Sequence, residues 1–110
     1  MKLKSHRFSS SEISLFLSRQ HKISTPFFSI FYSTDHTSEK FAFISPKRIG
    51  GAVVRNRIRR QLKSQFYAIY HQLKTNVRLI IIANQKMIDS DFNLTANVLL
   101  LSLKKKDLLQ

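Results

Sequence analysis

Residues 45–60 read Ser45-Pro46-Lys47-Arg48-Ile49-Gly50-Gly51-Ala52-Val53-Val54-Arg55-Asn56-Arg57-Ile58-Arg59-Arg60. Pro46 and the Gly50-Gly51 pair are breaks, so a strand ends before them and a helix starts after them. Six of these sixteen positions are Lys or Arg and none is acidic. Guanidinium groups are planar, permanently charged donors that grip phosphate bidentately, and Asn56 adds a donor and an acceptor among them. So dense a cluster is a site for a polyanion, with RNA the foremost candidate.

Downstream of the glycines the spacing predicts a long amphipathic helix over residues 53–74. From Ile58, the residues Leu62, Phe66, Ile69 and Leu73 fall within roughly an 80° arc at 100° per residue. Asn56, Arg57, Arg59, Arg60 and Lys63 occupy most of the opposite side. Val77 to Ala83 is a near-continuous apolar run of strand length, the pattern of a strand covered on both faces. A last helix is expected over residues 90–106, with Ser90 and Asp91 placed to cap it and Lys104 to Lys106 at its end. Cations there also complement the helix dipole.

Upstream, Phe41 to Ser45 reads as a strand, and the aromatic, β-branched run Phe27 to Tyr32 as another. The two are expected to pair as an antiparallel hairpin across the polar connector from Ser33 to Lys40. In the first of them Phe28, Ile30 and Tyr32 are assigned to the core. Phe27 and Phe31, flanking Ser29, share the other face, which is either more core or a half-solvated surface for stacking a base. Residues 20–25 read as a loop. Before them, Ser9 and Glu12 have capping-box spacing, and Ile13, Phe16 and Leu17 follow at i, i+3, i+4, so a first helix is expected over residues 10–19. The order is helix, two strands with room for a third, helix, strand, helix: an α/β (α+β) two-layer sandwich with a small mixed sheet, in one domain over residues 1–110.

Composition agrees with the local signal. Nineteen Lys and Arg against six Asp and Glu leave a formal charge of +13 on 110 residues. That excess favours nucleic acid or an anionic membrane as partner, while nine Phe and 43% hydrophobic residues argue against a disordered basic tail. Without cysteine there is no disulfide or thiolate metal site. The amino-terminal residues carry no apolar run of signal-peptide type, and the longest strictly apolar stretch, Leu79 to Ala83, is five residues long. No membrane partner and a cytoplasmic location are therefore expected. No acidic residue stands between Lys40 and Ile88, so that stretch repels itself unless a polyanion neutralises it.

The run from Ser45 to Arg60 resembles the signature of the protein subunit of bacterial ribonuclease P. In that family an Ala-Val-x-Arg-Asn-Arg-x-[Lys/Arg]-Arg helix follows a strand that ends in Ser or Ala and two basic residues. The likeness extends from about Arg7 to Ser102, taking in the aromatic strand and the strand at Leu79 to Ala83. Pro46 stands where the family often has Lys, and Gly51 where Asn is common.

The resemblance implies a protein that binds a large catalytic RNA, which itself hydrolyses the 5′ leader from precursor tRNA. It implies an α/β fold with a left-handed βαβ crossover and one monomeric protein per RNA. Carried over, Arg55, Asn56, Arg57, Arg59 and Arg60 face the RNA subunit, and Lys47, Arg48 and Lys63 extend that surface. A cleft between the first helix and the sheet receives the leader, with Ile13, Phe16, Leu17, Phe27 and Phe31 at or near it. Mg2+ is then held mainly by the RNA.

An intrinsic active site is not expected. Asp35, Glu39, Asp89 and Asp91 are the acids with any prospect of holding a catalytic metal, and Asp89-x-Asp91 is their one close pair. His6, His21, His36 and His71 show no paired-ligand spacing. The rival readings are a ribosomal or other structural RNA-binding protein, and a DNA-binding module laying the helix in a major groove.

Overall fold

The structure, a computed structural model, describes residues 8–19, 21–34 and 39–110. Asp35, His36 and His6, considered above as ligands, lie outside the described residues. Among the described residues, three α-helices and four strands make an α+β fold, in the order α1 (Ser10–Arg19), β1 (His21–Ser24), β2 (Phe28–Ser33), β3 (Lys40–Ile44), α2 (Ala52–Ile69), β4 (Arg78–Ala83) and α3 (Phe92–Lys105). The sheet order is β1-β2-β4-β3. β4 runs antiparallel to β2 and parallel to β3, so β3-α2-β4 is a βαβ crossover.

This order corrects the expected hairpin. β2 and β3 are not neighbours, because β4, apolar on both sides, takes the central position between them. The hairpin is instead β1-β2, with His21 opposite Tyr32 and Ser24 opposite Ser29. β1 falls in what the sequence presents as a loop; His, Lys and Ser have little strand propensity, and its backbone is ordered by pairing with β2. The turn is built by Thr25. Its Oγ1 accepts from the Phe27 and Phe28 amides, and its own amide donates to the Phe28 carbonyl at 3.0 Å.

Alternation along the strands sorts the sheet into two faces. Phe28, Ile30, Phe41, Phe43, Leu79, Ile81 and Ala83 face α2 and α3, and with Ile58, Leu62, Phe66, Leu99 and Leu103 they form the main core. Ile80, from the opposite face of β4, is fully buried outside that cluster, and Phe16 of α1 is nearly so. α1 lies over this second face, tied by a 2.5 Å ion pair from Lys40 Nζ to Glu12 Oε2. The capping box forms as its spacing predicts: the Ser9 amide donates to Glu12 Oε1 (2.9 Å) and the Glu12 amide to Ser9 Oγ (3.2 Å). Lys40 and the Ser9 bonds hold the Glu12 carboxyl at about 2, well below the usual carboxylate value.

α2 is shorter than its apolar spacing predicts. The chain tightens into a 3₁₀ turn at Tyr70–Gln72, and Leu73 is extended, bridging to Leu109. Leu73 is buried all the same, because the carboxyl-terminal segment folds back over it. Between α2 and α3 the buried Gln65 donates from Nε2 to Thr95 Oγ1 (2.7 Å) and to the Phe92 carbonyl (3.1 Å). Asp91 caps α3, its Oδ2 accepting from the Leu94 amide at 3.0 Å.

Candidate nucleic-acid interface

The amino-terminal half of α2 carries the cations. It starts at Gly51, which supplies no side-chain cap, and its first turn contains no acid, so the helix begins with free amides beside positive side chains. Gly50 has a φ of 155°, in the region that favours glycine, and a Cβ there would stand 3.3 Å from Val54. The preceding 3₁₀ turn, Lys47–Ile49, buries Ile49 and leaves Lys47 and Arg48 exposed. Asn56, Arg57 and Arg60 are exposed, and Arg55, Arg59 and Lys63 are half-buried.

Among the described residues, the two ion pairs are Lys40–Glu12 and Lys74–Asp107, and neither involves this cluster. Its internal bonds go to neutral acceptors. Arg59 donates to Asn56 Oδ1, and Arg57 reaches the Ile88 carbonyl at 3.4 Å. The Arg55 Nε is buried without a partner. Seven cations from Lys47 to Lys63 thus lie on α2 and the turn before it, with no carboxylate among the described residues paired to them. A surface of this kind attracts phosphates and releases their counterions.

The residues expected at the leader cleft do not all gather. Ile13 and Leu17 on α1 and Phe31 on β2 are half-buried; α1 and the Phe31 side chain lie on the second face of the sheet. Phe16 is 6% exposed and packs edge-on against Phe8 at 5.0 Å between ring centres, so it anchors α1. Phe27 precedes β2 and packs against the main core, so it does not share a strand face with Phe31. Lys22 of β1, which sequence reasoning missed, places its Nζ 5.5 Å from the Phe31 ring centre. Only the register of β1 against β2, which pairs Lys22 with Phe31, exposes that partnership.

No group of three His, Cys, Asp or Glu converges among the described residues, and Asp91 is engaged as a helix cap. No described helix is long and apolar enough to cross a membrane.

The family model of ribonuclease P matches residues 3–107. The chain belongs to the ribonuclease P family. Its ribonuclease P relatives include the protein component of a Nitratiruptor species, 35% identical over 68 residues, which are 62% of this chain and 61% of that protein. The protein component of a Thermoanaerobacter species is 39% identical over 51 residues, 46% of this chain and 44% of that one. The aligned segments therefore span less than two thirds of these curated relatives. The fold is similar to the Staphylococcus aureus RNase P protein, with a TM-score of 0.82 at 19% identity over 96% of this chain and 98% of that one. It is also similar to the Thermotoga maritima RNase P protein, with a TM-score of 0.77 at 15% identity over 96% and 94%.

Proposed function

We propose that this protein is the non-catalytic protein subunit of a ribonuclease P, working in the cytoplasm as one monomer per RNA. The amino-terminal half of α2, with Lys47, Arg48, Arg55, Asn56, Arg57, Arg59, Arg60 and Lys63, docks on the catalytic RNA. The cleft between α1 and the sheet, with Ile13, Leu17, Phe31 and the wall supplied by Phe16, receives the 5′ leader of precursor tRNA. Hydrolysis belongs to the RNA, and Mg2+ is held chiefly by RNA phosphates. The observation that carries this reading is the uncompensated charge of α2, in a chain whose family is that of ribonuclease P.

The test mixes purified protein with a bacterial ribonuclease P RNA and precursor tRNA at low Mg2+ and scores leader removal. Stimulation by the wild type that disappears in Arg57→Ala plus Arg60→Ala supports the reading. Unchanged cleavage by the RNA returns the chain to the class of structural RNA-binding proteins.

A further inference from the structure

The cationic side of α2 continues beyond its last cation. Asn56, Arg60, Lys63 and Tyr67 follow at i, i+4, i+7 and i+11, which places them within about 60° of one another around the helix axis. At 1.5 Å per residue the stripe from Asn56 to Tyr67 is about 16 Å long. Its first part is polar and cationic; its end is aromatic.

Tyr67 is half-buried, and its ring is fixed by four others. Phe66 lies at 5.1 Å, Tyr70 at 5.6 Å, Phe43 at 6.0 Å and Phe41 at 6.4 Å between ring centres. Phe41 and Phe43 belong to β3, the last strand in the sheet order, so this side of α2 borders the β3 side of the sheet. The two tyrosines differ in their engagements. The Tyr70 hydroxyl donates to Glu39 Oε1 at 2.8 Å, whereas the Tyr67 hydroxyl makes no hydrogen bond among the described residues. Burial, then the Glu39 charge, pushes the Tyr67 hydroxyl up, so the ring stays neutral beside phosphate.

An aliphatic side chain would cover Phe41 and Phe43 equally well. A clamped aromatic ring has one added property: it meets a base with little rotamer entropy left to lose. Single-stranded nucleic acid is bound where cations that follow the backbone adjoin aromatic faces that stack bases. We propose that Tyr67 is a stacking platform for an unpaired nucleobase of bound RNA, with Lys63 and Arg60 on the phosphates leading to it. This rests on the RNA-binding reading of α2 and extends its footprint toward β3. The base belongs to the RNA subunit or to precursor tRNA, and the experiment separates the two.

The full-length protein is titrated with a bacterial ribonuclease P RNA alone, and the resulting holoenzyme with precursor tRNA. Each titration uses Tyr67→Phe, Tyr67→Leu, Lys63→Ala and the wild type, with melting temperatures recorded. Stacking predicts near-wild-type binding by Tyr67→Phe. For Tyr67→Leu it predicts a loss of about 5- to 150-fold with an unchanged salt slope, in whichever titration supplies the base. Lys63→Ala flattens the slope by about one. Base-specific chemical probing adds a readout independent of stability: one base protected by the wild type and Tyr67→Phe becomes reactive with Tyr67→Leu, while the arginine-dependent protections persist.

Wild-type affinity and protections with Tyr67→Leu in both titrations overturn the proposal, as does equal loss with Phe and Leu. If Arg57→Ala plus Arg60→Ala weakens binding while Tyr67→Leu does not, only the stacking inference fails. If neither matters, the RNA-binding reading of α2 fails with it.

Discussion

α2 presents its cations from one continuous rod, whereas the second face of the sheet, on the α1 side, is assembled from segments far apart in the chain. Arg55, Arg57, Arg59 and Arg60 lie within two turns of a helix, so their mutual placement follows from helical geometry alone. Phe31, Lys22, Ile80 and α1 meet only because β2 pairs with both β1 and β4 and because Glu12 ties α1 to Lys40 on β3. The first region is strongly charged and needs no tertiary support to be recognisable. The second is weakly charged and has no identity before the sheet forms. An electrostatic surface and an assembled sheet face should therefore fail differently when mutated.

The largest expected effect is on the rod. Arg57→Ala plus Arg60→Ala should weaken RNA binding by about a hundredfold or more, since each charge-assisted contact contributes about 1.5–3 kcal/mol. The salt slope, roughly −4 to −7 for five to eight phosphate contacts, should flatten by about two. Filter binding across a salt series checks both. Loss of affinity with the slope unchanged would break the distinction between the regions.

Next, Phe31→Ala should weaken leader-bearing substrate about tenfold relative to mature tRNA, on a stacking contribution of about 1–3 kcal/mol. Competition between the two substrates, with a melt to confirm folding, decides it. Equal loss on both returns Phe31 to a packing role. Lys22→Ala should give a smaller loss, about two- to fivefold, confined to the same substrate, because an exposed cation over an aromatic ring contributes about 0.5–1 kcal/mol.

The smallest effect at neutral pH is at the latch. The Glu12 carboxyl is held at about 2 in the folded protein, below its unfolded value of about 4.3. Its folded pKa is depressed, so the stability it contributes is present above the unfolded value and is lost as pH falls toward 2. Amide exchange in α1 should accelerate over that window ahead of exchange in α2, and Glu12→Gln should abolish the pH dependence. Uniform acceleration of all helices would show that α1 is not separately latched.

The legible parts of this protein are those written within one helix or one strand. The capping box at Ser9 and Glu12, the apolar face through Ile58, Leu62 and Phe66, and the cap at Asp91 all form as their spacing predicts. Local patterns did not disclose strand order: β4 is apolar on both sides, and any neighbour satisfies it. The β2-β3 hairpin was the shortest solution available to sequence reasoning, but centring β4 buries Ile80 and Ile81 on opposite faces at once. β1 was invisible for the complementary reason, since its four residues gain their order from a partner strand.

The sequence by itself determined a helix with a cationic side and no acid, because charge sign and helical period are properties of consecutive residues. Tertiary structure decided which side chains join it or leave it from elsewhere in the chain. It placed Lys22 over Phe31 and Tyr67 among the rings of β3, and it packed the half-buried Phe27 against the main core. Such placements depend on register and layer order, and those are set by burying the greatest apolar area across the whole chain.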